Sequence, residues 1–296
     1  MYYIIFPLLY LVSLLPFFIL YGISDGIAFL LSDVFKYRRA VVWSNLAIAF
    51  PEKTEAERKA IAKQFYKYFT DTFIESLKCI SLSKKQLIKR STANVAGLNE
   101  LVDKGYSIHV MAGHQFNWEY ANLMYAINLK TPFAGIYMPI KNKALDKIFI
   151  NIRKRYGTIL ISATDFKEQV PEVLSRQYVL AMAADQNPGN PACAYWVKFF
   201  GKPTPFVSGP EKGAMKKNVA LAYVGFKKIK RGYYKFTTTI LATETNCNQP
   251  GELTCLYRSM LEKTIREDPA NYLWSHRRFK FDWKPEYGAV MESAAV

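Results

Sequence analysis

The chain has 296 residues, 50% hydrophobic, 15% aromatic and 22% charged, with 40 Lys and Arg against 24 Asp and Glu for a net charge of +16. That length supports one or two domains with a sizeable core, and the aromatic content excludes a disordered chain. The basic balance predicts an anionic partner: nucleic acid, acidic lipid or an acidic carrier.

Cys79, Cys193, Cys247 and Cys255 form no C-x-x-C pair, which excludes a zinc module or a disulfide scaffold and fits a reducing compartment. The only histidines are His109, His114 and His276, so no metal site is expected.

From Met1 to Ser24 no side chain is charged. About 20 helical residues cross a bilayer core, so the run is long enough to span. Tyr2, Tyr3, Tyr10 and Tyr21 suit the interfaces, while Pro7 and Pro16 complicate a straight helix. A signal peptide normally opens with a charged segment, which is missing here. The reading is a membrane anchor over residues 1–35, followed by a catalytic domain over 36–296. Within the anchor, Gly26–Phe35 reads as interfacial or packed on the domain, because Asp25 and Asp33 lie at its edges. Lys36, Arg38 and Arg39 come next, and the positive-inside rule puts the domain on the cytoplasmic face, which implies a cytoplasmic (inner) membrane protein. Removing the two acids of the anchor from the balance leaves +18 on residues 36–296. A basic domain tethered behind an anchor suits an anionic membrane surface better than nucleic acid.

A helix is expected around Val41–Phe50. Thr54 and Glu57 form an S/T-x-x-E capping box that opens a long helix to about Lys78. Strands and helices then alternate. Ser107–Ala112, Phe133–Tyr137, Thr158–Ser162 and Tyr178–Ala183 read as strands, and Trp118–Leu129, Ala144–Tyr156 and Phe166–Ser175 as helices. Val219–Phe226 and Tyr233–Leu241 read as adjacent strands, and Gly251–Glu267 as a terminal helix. The fold class is α/β, a mixed sheet flanked by helices behind a hydrophobic N-terminal helix.

The segment with chemistry is Ala112-Gly113-His114-Gln115-Phe116-Asn117-Trp118-Glu119, at the carboxyl end of a strand and the start of a helix. Ligand sites of open α/β sheets lie at such ends. Five residues along one helix would leave His114 and Glu119 about 140° apart. With His114 in the turn and Asn117 near the N-cap, Glu119 can approach the imidazole. A His–carboxylate pair is the minimal unit for taking a proton from an alcohol.

HQFNWE matches the H-x-x-x-x-D/E signature of glycerolipid acyltransferases. Over nearly its whole length the chain resembles the late, lauroyl/myristoyl acyltransferases of lipid A synthesis, whose segment reads like G-H-x-G-N-W-E. Supporting blocks are Asn45-Leu46, Phe50-Pro51-Glu52, Asn142 with Asp146 and Arg153, Asp185-Gln186, Phe199-Phe200-Gly201 with Gly209-Pro210, and Tyr272 through Lys280. Two positions depart from the pattern: Gln115-Phe116, and Met138 before Pro139, where many members carry Arg-Pro.

The resemblance implies a membrane-bound O-acyltransferase of glycerolipid acyltransferase-like fold. Acyl carrier protein is then the donor, an anionic lipid A precursor the acceptor, and neither metal nor other cofactor is required. It makes His114 the base, Glu119 its partner, and Arg153 and Asp185 site residues. Asn117, Asn142, Gln186, Arg277 and Arg278 then contact substrate. On the residues alone, Arg277 and Arg278 fit phosphate binding and aromatic packing equally, Asp185 fits a turn, and Asn117 a helix cap. A lysophospholipid acceptor, another hydroxyacyl lipid, and a lipid-binding homologue without turnover are the competing readings. No phosphate-binding loop or dinucleotide fingerprint occurs.

Overall fold

A computed structural model describes residues 2–246 and 249–292; Met1 and Cys247 lie outside the described residues. Pro16 divides the uncharged N-terminus. Helix α1 (Tyr2–Leu14) ends before it and α2 (Phe17–Phe29) starts after it, since proline donates no backbone hydrogen bond and Pro16 stands in an extended conformation as the N-cap of α2, whereas Pro7 is carried inside α1. Helix α2 runs on through a π-helical turn, Leu30–Val34. Among the described residues, the helix long and apolar enough to cross a membrane is therefore Phe17–Val34, in place of the expected Met1–Ser24 run. Gly26–Phe35, expected as a separate piece, is largely its second half. One face of α2 exposes Phe18, Ile23 and Ile27. The opposite face carries polar contacts to the domain: Ser24 Oγ donates to Asp71 Oδ1 at 2.8 Å and Tyr21 OH to Glu75 Oε1 at 3.0 Å.

Helix α3 (Arg39–Ala49) precedes α4 (Glu55–Lys78), which opens with the expected capping box. Ser83 and Gln86 form a second box that opens α5 (Lys84–Arg90), a short helix that apolar periodicity alone does not reveal. The chain continues through β1 (Ser91–Asn94), α6 (Ala96–Asp103), β2 (Ile108–Ala112), α7 (Trp118–Asn128), β3 (Phe133–Tyr137) and α8 (Lys143–Lys154). Then come β4 (Ile159–Ser162), α9 (Phe166–Leu174), β5 (Val179–Ala183), β6 (Tyr195–Phe199), β7 (Lys202–Phe206), α10 (Gly209–Lys217), β8 (Ala220–Lys230), β9 (Tyr233–Ala242) and α11 (Glu252–Glu267).

Seven strands make one mixed sheet in the order β1-β9-β8-β2-β5-β3-β4, and β6-β7 form a separate antiparallel pair. Only the β8–β9 pairing within the large sheet is antiparallel. Helices cover both faces over two apolar clusters. Strand β2 feeds both, with Met111 in one and Val110 in the other, as strand alternation requires. The central pairing is β2 with β5: Ala112 lies opposite Ala183, so both chains leave the sheet at the same level.

Candidate active site

His114 and Asp185 each stand two residues beyond that last pair. The ladder extends one step further, the Ala184 N–H donating to the Ala112 carbonyl at 3.1 Å, which brings the two side chains together. His114 Nδ1 lies 2.6 Å from Asp185 Oδ1, and the His114 backbone N–H donates to Oδ2 at 2.9 Å. Asp185 is buried, whereas the His114 side chain is 26% exposed and reaches a groove. Gln186 Nε2 stands 3.1 Å from His114 Nε2. With the amide donating, the neutral ring carries its proton on Nδ1 toward Asp185 and offers a lone pair on Nε2.

Burial works against the charge of both partners, and their mutual attraction outweighs it. The His114 imidazole is held above its usual pKa, and the Asp185 carboxyl is pulled down to about 2, with the Arg278 charge assisting. Gly113 makes the turn compact: a Cβ there would fall 2.5 Å from Leu261 Cδ1. The Leu273 N–H donates to the His114 carbonyl at 3.1 Å, tying the C-terminal segment to the turn.

Glu119 does not serve as the imidazole's carboxylate. It lies in the first turn of α7, and its side chain turns to Arg153 on α8. The Arg153 Nε donates to both carboxylate oxygens at 3.1 and 3.0 Å, and Nη2 to Oε1 at 2.5 Å. Glu119 is 1% exposed and Arg153 18%, so this is a nearly dry ion pair. Both line the same groove as His114. The sequence expectation fails here because a strand crossover delivers a second acid, Asp185, from 71 residues away.

Asn117 is the N-cap of α7. Its Oδ1 accepts the N–H groups of Glu119 and Tyr120, both at 3.1 Å, and its Nδ2 donates to Glu75 Oε2 at 2.9 Å. Fully buried and engaged on both sides, the amide positions the helix and is not free for substrate. Asn142 likewise caps α8, accepting from Ala144 and Leu145. Arg278 is buried; its Nη1 donates to Asn187 Oδ1 at 3.0 Å and to the Pro205 carbonyl at 2.9 Å, and its guanidinium stacks 4.3 Å from the Phe206 ring. Arg277 is exposed. Asn271 and Glu75 support the site without having been expected there. Asn271 Oδ1 accepts the Phe116 N–H at 2.9 Å, and Glu75 also takes the Tyr234 hydroxyl at 2.7 Å. Glu75 is a buried acid inside a long helix and Asn271 a lone amide after α11, and neither leaves a sequence signal for its role.

The groove holds about 340 Å³ between α7 and the sheet, the scale of a small-ligand site. Its walls are mostly apolar, including Val110, Leu160, Val224 and Phe226, and the small residues Ala181 and Gly135 make room for it. Among the described residues, no group of three or more His, Cys, Asp or Glu is arranged to hold a metal.

A His–Asp pair whose second ring nitrogen meets only a displaceable amide, beside an ion pair and at the mouth of an apolar groove, suits transfer of a long acyl chain to a hydroxyl. Comparison with known families agrees. The profile described as "Bacterial lipid A biosynthesis acyltransferase" matches residues 1–281. The chain belongs to this acyltransferase family. It is 26% identical to a lipid A biosynthesis acyltransferase of Haemophilus influenzae over 272 residues, 90% of this chain and 86% of that one. It is 22% identical to the lipid A biosynthesis lauroyltransferase of Escherichia coli K12 over 280 residues, covering 92% and 89%. Both alignments extend well beyond the residues of the groove.

Proposed function

We propose that this enzyme moves a fatty acyl group from an acyl carrier protein thioester to a hydroxyl of a lipid A precursor at the cytoplasmic face of the inner membrane. The supporting observation is the His114–Asp185 pair opening onto the apolar groove. The acyl chain lies along the groove and its thioester carbonyl stops beside His114. The acceptor hydroxyl displaces the Gln186 amide from Nε2. As its oxygen attacks the carbonyl, its proton passes to Nε2, and Asp185 stabilises the imidazolium. Collapse of the tetrahedral intermediate breaks the C–S bond, and the imidazolium returns the proton to the departing thiolate. Arg153, held by Glu119, offers a fixed cation to the oxyanion or to an acidic group of the acceptor. The +18 on residues 36–296 favours encounter with an acidic carrier.

The test is incubation of the purified full-length protein with acyl carrier protein thioesters and a panel of lipid A precursors and lysophospholipids, with products read by mass spectrometry. Acylation of a lipid A precursor by wild type, and its loss in His114→Ala, is the expected result. Transfer only to lysophospholipids overturns the acceptor, and undiminished transfer by His114→Ala overturns the mechanism.

A further inference from the structure

A second concavity, about 780 Å³, lies beside the active site and is lined by Lys36, Arg38, Arg39, Arg277 and Lys280 together with the Asn187-Pro188-Gly189 turn. None of its lining residues is acidic, and among the described residues none of the five cations is within ion-pair distance of a carboxylate. Five like charges around one hollow repel one another unless an anion joins them. We propose that this basin binds the phosphate monoester of a lipid headgroup, and so holds the acceptor while its hydroxyl meets His114.

The surroundings show that the basin is built and not a loose fringe of side chains. Lys36 and Arg38 are both held at φ 49°, a region that non-glycine residues rarely occupy unless neighbours enforce it. Arg38 Nη1 donates to the Ser275 carbonyl at 2.9 Å, and the Asn45 amide donates to the carbonyls of Trp274 and His276 at 2.7 Å each. These bonds clamp the start and the middle of α3 against the segment that carries Arg277 and Lys280. Helix α3 also begins here without a side-chain cap. Arginine in particular matches phosphate oxygens two at a time.

Position selects a lipid over a free ion. The basin begins two residues after Val34, where the helix long and apolar enough for a membrane ends. A headgroup lies at that level when the helix is in lipid. The same turn joins the basin to the catalytic pair: Asn187 follows Asp185 by two residues, a reach of at most about 7 Å along the chain. The Leu273 N–H that holds the His114 carbonyl belongs to the segment that supplies Arg277. A phosphate in the basin thus anchors a molecule whose other end reaches the dyad. The basin rests on the acyl-transfer reading for its purpose, but its binding chemistry is measurable without turnover.

The test uses full-length His114→Ala protein in neutral detergent micelles doped with phosphatidic acid, a phosphate monoester, or with phosphatidylglycerol, a phosphodiester, at matched charge. Bound lipid is counted by native mass spectrometry, with circular dichroism as the check on folding. Phosphatidic acid should be retained about tenfold better, the scale of one charged hydrogen bond, and Lys36→Gln/Arg277→Gln/Lys280→Gln should erase that preference. Equal retention of both lipids, or a preference that survives the triple substitution, overturns the proposal. Inorganic phosphate binding as tightly as phosphatidic acid reassigns the basin to a free anion and overturns the lipid assignment.

In a parallel arm, the otherwise wild-type enzyme and the triple variant acylate a phosphorylated acceptor and its phosphatase-treated form. A selectivity for phosphate that collapses in the variant supports the basin. Transfer indifferent to both changes overturns the basin and leaves acyl transfer standing. No transfer, with monoester retention intact, overturns the activity and leaves the basin standing.

Discussion

Asp185 meets His114 twice, Oδ2 taking the backbone N–H at 2.9 Å and Oδ1 the ring Nδ1 at 2.6 Å. The acid therefore fixes both the place of the residue and the tautomer of its ring. Its charge also holds the imidazole pKa above 6.5. The working base is the neutral ring, so turnover is present above that pKa and is lost as pH falls through it. Asp185→Asn removes the charge that raises it. Turnover should drop by about 10²-fold or more, the scale of a general-base contribution, and the remaining acid limb should move to lower pH. A pH profile of kcat/KM for both proteins checks this; an unmoved limb would mean that some other group titrates.

The Glu119–Arg153 pair calls for a different experiment. Removing one partner leaves a nearly buried charge alone, at a cost of about 3–5 kcal/mol. Glu119→Gln and Arg153→Ala should each destabilise the fold, and the double variant should lose clearly less than the two single losses together. In activity, Arg153→Ala should cost about ten- to a hundredfold. Arg153→Lys should not restore it, because Nε and Nη2 both engage the carboxylate and lysine has no such fork. Met138, exposed at the groove, is the companion site: if it reflects a less charged acceptor, Met138→Arg should raise transfer only to a more phosphorylated one. Thermal unfolding and steady-state rates of this set decide whether the pair acts on stability, on turnover or on both.

Much of this site could be read from the chain before its fold was known. The strand–turn–helix around His114 carries its own signals: an apolar run, Gly113, then Asn117 as cap. Asp185 was legible as a residue after a strand, but its partner was not, because the adjacency of β2 and β5 depends on a sheet order that local periodicity does not contain. The H-x-x-x-x-D/E pattern points to Glu119 as the partner, but the packing of α7 and α8 gives that carboxylate to Arg153. Strand β7 escaped notice for a local reason: Pro203 and Pro205 argue against a strand, and the structure accommodates them in a two-stranded pair that needs few donors. The basin was hidden because its cations come from residues 36–39 and 277–280, segments that only the fold brings together.

Membrane attachment should depend on one face of α2. Deleting the N-terminus would also remove Ser24 and Tyr21, the partners of Asp71 and Glu75, and so confuse anchoring with folding. Replacing the exposed Phe18, Ile23 and Ile27 with Ser leaves those bonds intact. Each such side chain contributes roughly 1.5–3 kcal/mol when taken out of water, so the triple variant should move substantially into the soluble fraction, more so at high salt. Unchanged sedimentation with membranes in high salt would show that another surface holds the protein there.

Chain-length preference should be set where the groove is narrowest in side chains. Gly135 on β3 lies between Leu160 of β4 and Ala181 of β5, and Ala181 pairs in turn with Val110 of β2; all four line the groove. That row is four residues before His114 on β2, roughly 13 Å along the strand at about 3.3 Å per residue. A Cβ at Gly135 would meet nothing closer than Asn122 Oδ1 at 4.0 Å, so a larger side chain fits without strain and projects into the space the acyl tail needs. Gly135→Leu should therefore keep transfer of short chains and penalise long ones. Each methylene left without a place costs roughly 0.8 kcal/mol, about a fourfold loss in kcat/KM. Gly135→Ala should shift the preference less. The measurement is kcat/KM across a series of even-numbered acyl carrier protein thioesters; an optimum that stays put in a folded Gly135→Leu enzyme would mean that the tail runs elsewhere than along this face of the sheet.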